Sequence, residues 1–312
     1  MIEVVEAGAL TSVQTSDGRP GWRHLGVPVG GAVDPWSARL ANRLVGNADD
    51  AALLEITLRG PVLRFAASTA VAITGAIFDA TLDGLPLPPC VGRRVHAGSQ
   101  LRIGTGDGAR CFLAIAGGIE VEPMLGSAST DLRTGFGGHE GRALRAGDRL
   151  AFGTPSVITR RWAGRRTAPG PIQIVAGPHQ AANALLGTTW VVGVQADRAG
   201  VRLDGLLPSD GLTEVSSMGL PMGAIQVPPD GRPIVMLADR PVTGGYPVPA
   251  CVIRADIGRV AALRSGDEVT FASVSMEEAR DALRGMEDEL TALEDADAPP
   301  NVELGSWAGA LE

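Results

Sequence analysis

The sequence predicts a mainly β protein made of two β-barrel domains, with few helices and one helix near the C-terminus. The 312 residues are enough for two domains of ordinary size, each with its own core. Glycine (42 residues) and proline (22 residues) are abundant, and both are interspersed with aliphatic residues rather than gathered in low-complexity tracts. Short apolar runs between turn residues, together with an internal repeat, favour barrels over repeated βαβ units.

Five short apolar runs are predicted as strands, because Gly, Pro or Asp bounds them. They are Ala70–Ile73, Cys111–Ala116, Ile172–Val175, Ala224–Val227 and Ile234–Leu237. Their length and spacing are typical of barrels or sandwiches.

An internal repeat indicates that one β unit has been duplicated. Segments 143–152 and 262–271 agree at six of ten positions, and each places a Gly-Asp turn between short apolar runs. We expect a β-hairpin or a barrel edge at both. Segment 95–104 is a weaker third copy. Such turns are common in small barrels, but a second pairing supports duplication: the runs LAIAGGI from Leu113 and LADRPVTGGY from Leu237 each place a strand before a double glycine.

Two helices are predicted. Segment 37–46 is helical in pattern, begins near Asp34 or Pro35, and carries Leu40 and Leu44 on one face. We expect it to be the only long helix before the C-terminal region.

The C-terminal helix begins with a capping box formed by Ser275 and Glu278. Apolar residues then recur at three- and four-residue steps, at Met276, Ala279, Leu283, Met286, Leu290 and Leu293. This stripe predicts a helix that packs against the protein or a partner and ends before Pro299, with a loose tail after Asp295.

Domain boundaries are predicted from the polar, arginine-rich stretch between Thr154 and Pro171, which is flanked by prolines and has the composition of a linker. We therefore predict an N-terminal barrel domain over residues 1–160, a C-terminal barrel domain over 170–274, and a helix and tail over 275–312.

Charge and hydropathy exclude several classes of protein. The net charge is −8 and the basic residues form no stripe that could follow phosphates, which argues against nucleic-acid binding. No apolar run approaches the roughly 18 residues that cross a bilayer, and the first residues do not resemble a leader peptide. We expect a soluble cytoplasmic protein.

Cysteine and lysine usage is also informative. Cys90, Cys111 and Cys251 are widely spaced and follow no zinc-binding pattern, so we expect reduced, buried thiols. All 27 basic residues are arginine. A lysine for a phosphate-binding loop, a Schiff base or attached biotin is therefore expected to come from another chain.

The block from Thr11 to Pro61 is the first candidate for a binding site, because it is rich in polar residues and glycine. Its candidates are Gln14, Arg19, His24, Asp34, Asn42 and Glu55, a set that suits a small amide or urea-like ligand. Structural alternatives remain open. Asp34 would only cap the helix, Asn42 would bind loop backbone, and Glu55 would pair with Arg59.

Segment 117–142 is the second candidate. Thr130, Asp131 and Arg133 would face a cleft beside the loop 135–138, whose amides suit an anion. Alternatively, the glycines only form tight turns. His139 is expected to be exposed to solvent.

Segment 223–247 is the third candidate. It contributes Gln226, Asp239, Arg240, Thr243, Gly244, Gly245 and Tyr246. A pair of Asp239 with Arg240 would orient an anionic substrate or, alternatively, lock the turn as a salt bridge. Tyr246 is the only tyrosine in the chain, which makes it a probe rather than evidence for catalysis.

Acid–base candidates are His24, His96 and His179, since histidine titrates near neutral pH. They are not accompanied by a Ser/His/Asp, HExxH or GxSxG pattern, which disfavours a protease or simple serine hydrolase. The run GTGDG from Gly104 is predicted as a hairpin turn rather than a nucleotide-binding loop.

These three segments together resemble the biotin-dependent carboxyltransferase-like family, also called allophanate hydrolase subunit 2. The clearest motif is AGG…LGS.STD..GG.GR within residues 116–142, and the likeness runs from about Ala7 to Phe271. The resemblance implies cyclophilin-like barrels and assembly with a smaller B-type subunit of related fold. Members of the family include C-type subunits of bacterial ATP-dependent 5-oxoprolinase and parts of urea carboxylase.

The resemblance implies three functions. The leading hypothesis is a subunit, inactive alone, of an ATP-dependent complex with A-type and B-type subunits that opens 5-oxoproline to glutamate, with ATP and Mg²⁺ as cofactors and no metal ligands visible in this chain. The alternatives are transfer of a carboxyl group from biotin to urea or another amide, and regulation of a kinase-inhibiting B-type partner. The catalytic candidates are Arg19, Asp34, Asp131, Arg133, Asp239 and Arg240.

Three departures from the family pattern fall in the candidate blocks. The usual VQD-x-GR is here Val13-QTSDGR, with one extra residue; the serine common before GA-x-D is Gly30; and the NR-x-G-RL region is Asp197-RAGVRL. We expect these positions to influence which substrate is used.

Overall fold

The computed structural model describes residues 1–155, 159–162, 170–207 and 215–295. Over these residues the protein is mostly β, with two nearly closed, barrel-like sheets and three α-helices, the last of them following the second barrel. The predicted fold class is confirmed. The described helices include none that is long and apolar enough to cross a membrane.

The first sheet contains eleven strands and surrounds an aliphatic core. Its elements are β1 Ile2–Glu6, β2 Leu10–Gln14, α1 Pro35–Leu44, β3 Leu53–Arg59, β4 Val62–Phe65, β5 Thr69–Gly75, β6 Phe78–Leu82, β7 Leu85–Pro86, β8 Arg93–Val95, β9 Gln100–Ile115, β10 Ile119–Glu120 and β11 Arg149–Phe152. The 16-residue strand β9 pairs with β3, β4, β5 and β6, so it joins both sides of the barrel.

The second sheet contains eight strands around a separate core. The remaining elements are β12 Arg160–Trp162, β13 Ile172–Ala176, β14 Trp190–Ala196, β15 Gly200–Asp204, β16 Met218–Gly219, β17 Ala224–Gln226, β18 Ile234–Met236, β19 Thr243–Gly244, β20 Ala250–Val252, α2 Ile257–Ala262, β21 Glu268–Val269, β22 Phe271–Ser273, α3 Met276–Glu289 and β23 Leu293–Asp295. The strand order is β21-β14-β15-β18-β17-β20-β13-β22, while β16 pairs with β19 and β12 with β23 outside it.

The internal repeat is visible as one turn used at corresponding places. In turns 145–148 and 264–267, the terminal aspartate accepts a hydrogen bond of 2.7 Å from the amide three residues earlier. The third residue is a glycine with φ of 91° or 92°, and φ is 90° at the matching glycine of turn 96–99. The first two turns are not hairpins, because the strands that follow them, β11 and β21, pair with β1 and β14. The strand after the second turn, β21, is an edge strand of its sheet, whereas β11 lies between β10 and β1, so the other expectation, a barrel edge, is confirmed only for the second turn.

The second repeat pairing is wrong in structural terms. Gly117 and Gly118 both have positive φ, 92° and 70°, and form the turn between β9 and β10. Gly244 and Gly245 do not have positive φ, and Gly244 lies in β19, outside the second barrel sheet. The shared double glycine therefore serves two different backbone conformations.

Helix α1 starts as predicted. Asp34 is its N-cap and accepts from the amide of Ser37 at 3.1 Å, and Pro35 occupies the first helical position, where no N–H is needed. Leu40 and Leu44 are fully buried against the first barrel.

Helix α3 has the predicted capping box, but it ends at Glu289 rather than continuing through Leu293. Leu293 belongs to β23, which pairs with β12. The predicted linker is thus wrong over residues 160–162, which form a strand. Residues 156–158 and 163–169 of that stretch, and the predicted tail after Asp295, lie outside the described residues, and the domain boundaries stay a prediction.

Candidate functional site

A buried ion network, the Arg198 junction, joins the two barrels. Arg198 lies between β14 and β15 of the second barrel and donates through Nε and NH2 to Asp239 at 2.8 and 2.9 Å. Across the interface it donates to the carboxylate of Glu55, and NH2 also donates to the carbonyl of Gly31 at 2.7 Å. The Arg198 residue is 5% exposed and Glu55 is fully buried. These four residues define the Arg198 junction.

Backbone amides near the junction hold Glu55 on one barrel and the turn that carries Arg198 on the other. Glu55 lies in the centre of β3, between β2 and β9, and its second oxygen accepts from the amide of Val33 at 2.9 Å. On the other barrel, the carboxylate of Asp197 accepts from the amides of Ala199 and Gly200, which tightens the turn that carries Arg198. Arg198 is therefore held by backbone geometry on its own side and by charge on the other.

Electrostatics favour the ionised form of Arg198. Burial works against the charged guanidinium, but the carboxylates of Glu55 and Asp239 outweigh it and hold the pKa of Arg198 above its usual value. The bonds to Asp239, Glu55 and Gly31 use four of the five N–H groups of this arginine, which leaves at most one N–H, on NH1, for a ligand.

Arg19 lies near the junction and differs from Arg198 in its bonding. It is 1% exposed, donates through NH2 to the carbonyl of Ser129, and places its guanidinium carbon 4.6 Å from the centre of the Phe136 ring. Its Nε and NH1 have no hydrogen-bond partner among the described residues. Burial lowers the pKa of Arg19, while the charges of Asp131 and Asp239 oppose that shift. Two buried donors are thus available.

Two glycines make room for this guanidinium. A Cβ at Gly137 would lie 2.9 Å from Arg19 NH2, and a Cβ at Gly30 would lie 3.3 Å from NH1 and 3.7 Å from Asp239 Oδ1. Gly30 therefore sits between the free side of Arg19 and the Arg198 junction. This is the position where the family pattern has serine.

Gln14 and Thr130, two predicted ligand-binding residues, are fully buried beside Arg19's partner Ser129. The amide nitrogen of Gln14 donates to the carbonyl of Thr130 at 3.1 Å, and the Thr130 hydroxyl donates to the carbonyl of Val13 at 2.9 Å. The hydroxyl of Thr130 therefore binds backbone. The amide oxygen of Gln14 has no partner among the described residues and is a free buried acceptor.

Asp131 shapes the loop that contains Phe136. Its Oδ1 accepts from the amides of Arg133 and Thr134 at 3.0 and 3.1 Å, and its backbone pairs with Phe136. The Arg133 side chain is exposed, so it does not join Asp131 near the junction. The role of Arg133 in the site stays a prediction.

Asp34 is buried at the start of α1, where Ser37 donates to it through both its amide and its hydroxyl. A Cβ at Gly258 of α2 would lie 2.5 Å from Asp34 Oδ2, so the second barrel packs directly on this carboxylate. Burial raises the pKa of Asp34, and the charge of Glu55 adds to the shift. The capping alternative therefore accounts for its hydrogen bonds.

Asp239 does not pair with Arg240. Asp239 is held by Arg198, while Arg240 donates to the carbonyls of Leu220 at 2.9 Å and Leu237 at 3.0 Å. Burial lowers the pKa of Arg240 to about 10, and the nearby charge of Arg23 contributes to the shift. Both hypotheses about an Asp239–Arg240 pair are wrong, because adjacent side chains point in different directions here.

Two structural alternatives for the first block have different outcomes. Asn42 donates to the carbonyls of Ala51 and Asp49 at 2.8 and 3.3 Å, so it binds loop backbone, as that alternative predicted. Glu55 does not pair with Arg59, because it lies in a strand and binds Arg198 instead.

The remaining candidates of the third block lie at or near the surface. Thr243 and Tyr246 are exposed, as is His24 of the first block. Gln226 is buried, and its amide nitrogen packs on Gly244, where a Cβ would clash with it. None of these residues contacts the Arg198 junction by a hydrogen bond between described residues.

The other histidines and the cysteines have structural positions. His179 accepts from the amide of Val248 at 3.0 Å. His139 is 18% exposed and lies 3.6 Å from Asp148, so the expectation of an exposed side chain is wrong. Cys111 and Cys251 are free thiols, as predicted, and Cys111 is fully buried whereas Cys251 is half-buried. Within the described residues, no group of three or more His, Cys, Asp or Glu is placed to hold a metal ion.

Sequence reasoning missed Arg198, the centre of the junction. The sequence did contain a sign of its importance, because Arg198 is the first arginine of the segment that corresponds to the family pattern NR-x-G-RL. The altered residue before it, Asp197, is the more conspicuous one in the sequence, but its carboxylate only caps the turn.

The chain is similar to several named proteins. A family model described as carboxyltransferase domain, subdomain A and B, matches residues 25–273. The chain is 39% identical to the C-type subunit of 5-oxoprolinase from Escherichia coli, over 89% of this chain and 93% of that protein. It is 32% identical to urea amidolyase of Lachancea kluyveri, over 94% of this chain and 18% of the relative.

The fold agrees with these similarities. The crystal structure of Kluyveromyces lactis urea carboxylase superposes with a TM-score of 0.84 at 32% identity, covering 93% of this chain and 29% of that one. The chain thus spans nearly the whole of one relative and a minor part of two larger ones.

Proposed function

This chain belongs to the carboxyltransferase domain family, subdomains A and B, and from that membership we propose that it is the C-type subunit of an ATP-dependent 5-oxoprolinase. The observation that carries the proposal is the match in length and sequence to the E. coli protein of that name, 39% identity over 93% of its length. The name of that relative supports assembly with further chains, for which we propose A-type and B-type subunits. We further propose that the complex is cytoplasmic, that it uses ATP and Mg²⁺ bound with a partner subunit, and that this chain is inactive alone.

The chemistry asks for hydrogen-bond donors at an oxygen that gains negative charge. The carbon of a lactam resists attack by water, because the nitrogen lone pair is delocalised onto the carbonyl oxygen. Phosphorylation of that oxygen by ATP would make the carbon electrophilic and supply a leaving group. The protein's part is to position the lactam and to stabilise the developing charge.

Arg19 is the residue that we propose for this part. Of the three predicted catalytic arginines, Arg133 is exposed and Arg240 is bonded to backbone carbonyls, whereas Arg19 keeps two buried nitrogens, Nε and NH1, without a hydrogen-bond partner among the described residues. The carboxylates of Asp131 and Asp239 lie close enough to act on its charge. The surroundings are therefore not strongly positive, and a polarised neutral amide suits them better than a highly charged anion.

A second candidate is carboxyl transfer to urea or another amide, in which carboxybiotin from another chain would be the donor. The observation that favours it is the 32% identity to L. kluyveri urea amidolyase over 94% of this chain. Both reactions act on an amide polarised at oxygen, so the same use of Arg19 serves either.

The experiment is ATP-dependent release of glutamate from 5-oxoproline by this chain mixed with its A-type and B-type partners, with each component omitted in turn. We expect release only from the complete mixture. A well-formed complex that releases no glutamate but transfers carboxyl groups to urea, when biotin carboxylase and carrier are supplied, would overturn the proposal in favour of the second candidate.

A further inference from the structure

A cavity of about 480 Å³, the α3 cavity, lies between the two barrels and beneath helix α3. Residues of α1, α2, α3 and β12 line it, including Leu40, Ala261, Met286 and Trp162. Its size is within the range of sites that take small molecules, roughly 300–1,000 Å³. It is not part of the proposed reaction at Arg19, and Arg19 does not line it.

Helix α3 turns one face to this cavity. The lining residues Ala282, Gly285, Met286 and Glu289 are spaced by three and four positions, as on a single helical face. Glycine inside a helix is less favourable than alanine, yet Gly285 stands in the third turn of α3. A Cβ at Gly285 would meet no atom within 4 Å, so the space opposite it is open.

Two indole rings form an aromatic wall and also hold the helix in place. The rings of Trp36 and Trp162 are 5.4 Å apart and nearly perpendicular, at 75°. Their N–H groups donate to the carbonyls of Met286 at 2.7 Å and Glu289 at 2.9 Å. Because the last carbonyls of a helix lack internal partners, these bonds fix the end of α3. Both tryptophans line the cavity.

Two polar atoms of the lining are buried without a partner among the described residues. Arg110 is 4% exposed, and its NH1 donates to the carbonyl of Ala261 at 2.7 Å. Its Nε is a buried donor with no acceptor, and Glu289 Oε2 is a buried acceptor with no donor. Both residues line the cavity. Unsatisfied buried polar atoms are rare and call for an explanation.

The other acids of the lining are already engaged. Ser37 donates twice to Asp34, while Asp256 accepts from the amide of Gln173 at 2.6 Å and from Arg259 at 3.1 Å. Arg110 is therefore left as a buried cation that donates to no carboxylate among the described residues. An acidic ligand would supply that missing partner.

We propose that the α3 cavity binds a flat aromatic acid. The acid group accepts from Arg110 Nε, the aromatic body lies against Trp36, Trp162 and Phe112, and an N–H or O–H of the ligand donates to Glu289 Oε2. Arg19 does not line this cavity, and occupancy of the cavity is measured on the isolated chain.

A pair of fluorescent probes tests the proposal. 8-Anilinonaphthalene-1-sulfonate has a flat aromatic body, an N–H donor and an anionic group, and N-phenyl-1-naphthylamine is the same molecule without the sulfonate. We expect one saturable site for the anionic probe with a dissociation constant in the micromolar range, at least tenfold tighter than for the neutral probe. Binding should quench tryptophan fluorescence, because two indoles line the cavity.

Two variants and a control complete the test. Arg110→Met should remove the tenfold preference for the anionic probe, and Gly285→Leu should abolish binding of both probes by filling the open space. Arg284→Met is the matched control, since Arg284 is exposed on α3 and pairs with Asp281; it should bind as the unchanged chain does. Equal affinity of the unchanged chain for the two probes would overturn the proposal, as would unaltered probe binding by a folded Gly285→Leu variant. If Arg110→Met does not fold, the Gly285→Leu result alone decides.

Discussion

The Arg198 junction and the α3 cavity both lie between the barrels, yet they use buried arginine in opposite ways. At the junction, Arg198 is bonded to two carboxylates and a carbonyl from both barrels. In the cavity, Arg110 has a single backbone partner among the described residues and open space beside it. The comparison shows that the same interface contains two kinds of buried arginine. One kind is paired with carboxylates and holds the barrels in position, and the other keeps N–H donors without a partner among the described residues. Arg19 belongs to the second kind.

The largest expected effect comes from breaking the junction. Arg198→Met removes the guanidinium and leaves Glu55 and Asp239 as buried, unpaired carboxylates, so we expect a loss of about 3–5 kcal/mol in the free energy of unfolding. Urea denaturation followed by circular dichroism measures it. Arg202→Met is the control, because Arg202 pairs with the half-exposed Asp230 and should cost less than about 1 kcal/mol. Equal losses would show that the junction does not hold the barrels.

Arg19→Met should separate function from stability. Replacing a buried donor that acts on the reacting oxygen is expected to lower glutamate release by the complete complex by roughly 100-fold or more. Since two nitrogens of Arg19 have no hydrogen-bond partner among the described residues, the free energy of unfolding should change much less than in Arg198→Met. A large loss of stability with unchanged turnover would assign Arg19 to the structural class instead.

Gly285→Ala sharpens the comparison from the side of the cavity. The new methyl group meets no atom within 4 Å, and alanine is a better helix former, so we expect a gain of up to about 1 kcal/mol in the free energy of unfolding. Thermal and urea denaturation measure it. Gly258→Ala is the contrasting variant, since its methyl would press on the Asp34 carboxylate and should destabilise. A lower free energy of unfolding in both variants would contradict the open space beside Gly285.

The smallest expected effect concerns Asp34. Asp34 borders the cavity, and its neighbour Glu55 belongs to the Arg198 junction. Its folded pKa is raised by burial, so the folded state binds the proton more tightly than the unfolded state. The stability that comes from this proton is complete below the unfolded pKa, about 3.9, and declines as pH rises through the folded pKa. Asp34→Asn keeps a good N-cap and cannot ionise.

We therefore expect the free energy of unfolding of Asp34→Asn to rise relative to that of the unchanged chain as pH rises from about 4 to 8. Urea denaturation at each pH measures the difference. A difference that stays constant over this range, or that moves the other way, would contradict the raised pKa.

Much of the fold could be predicted from local signals. The repeat indicated one shared turn, because a glycine at φ near 90° followed by an aspartate is required by the turn itself. The caps at Asp34 and Ser275 were likewise local. The end of α3 could not be predicted from local signals, because Leu293 continues the helical spacing of apolar residues. The strand that contains Leu293 depends on pairing with β12, which is distant in the sequence.

The site was less predictable, because its bonds join residues far apart in the chain. Polar residues in glycine-rich blocks indicated Arg19, Glu55 and Asp239 as site residues, which stays a prediction, and their partners could not be inferred from spacing. Asp239 was paired with adjacent Arg240, whereas its actual partner Arg198 is 41 residues away. Asp239 and Arg240 follow β18 in a turn, where the backbone sends their side chains to different partners, so adjacency in sequence did not indicate the ion pair.

The pairing of β12 with β23 has a consequence for how this chain is built. The two strands bracket the entire second barrel and helix α3, and Trp162 stands opposite Leu293. The second barrel is therefore a lobe that leaves the first barrel and returns to the point of departure, with its two ends about one strand spacing apart, ~4.8 Å. Chain ends that meet in this way suit circular permutation. A short turn that joined Trp162 to Leu293 would leave the first barrel on one continuous chain and release the lobe as a separate one.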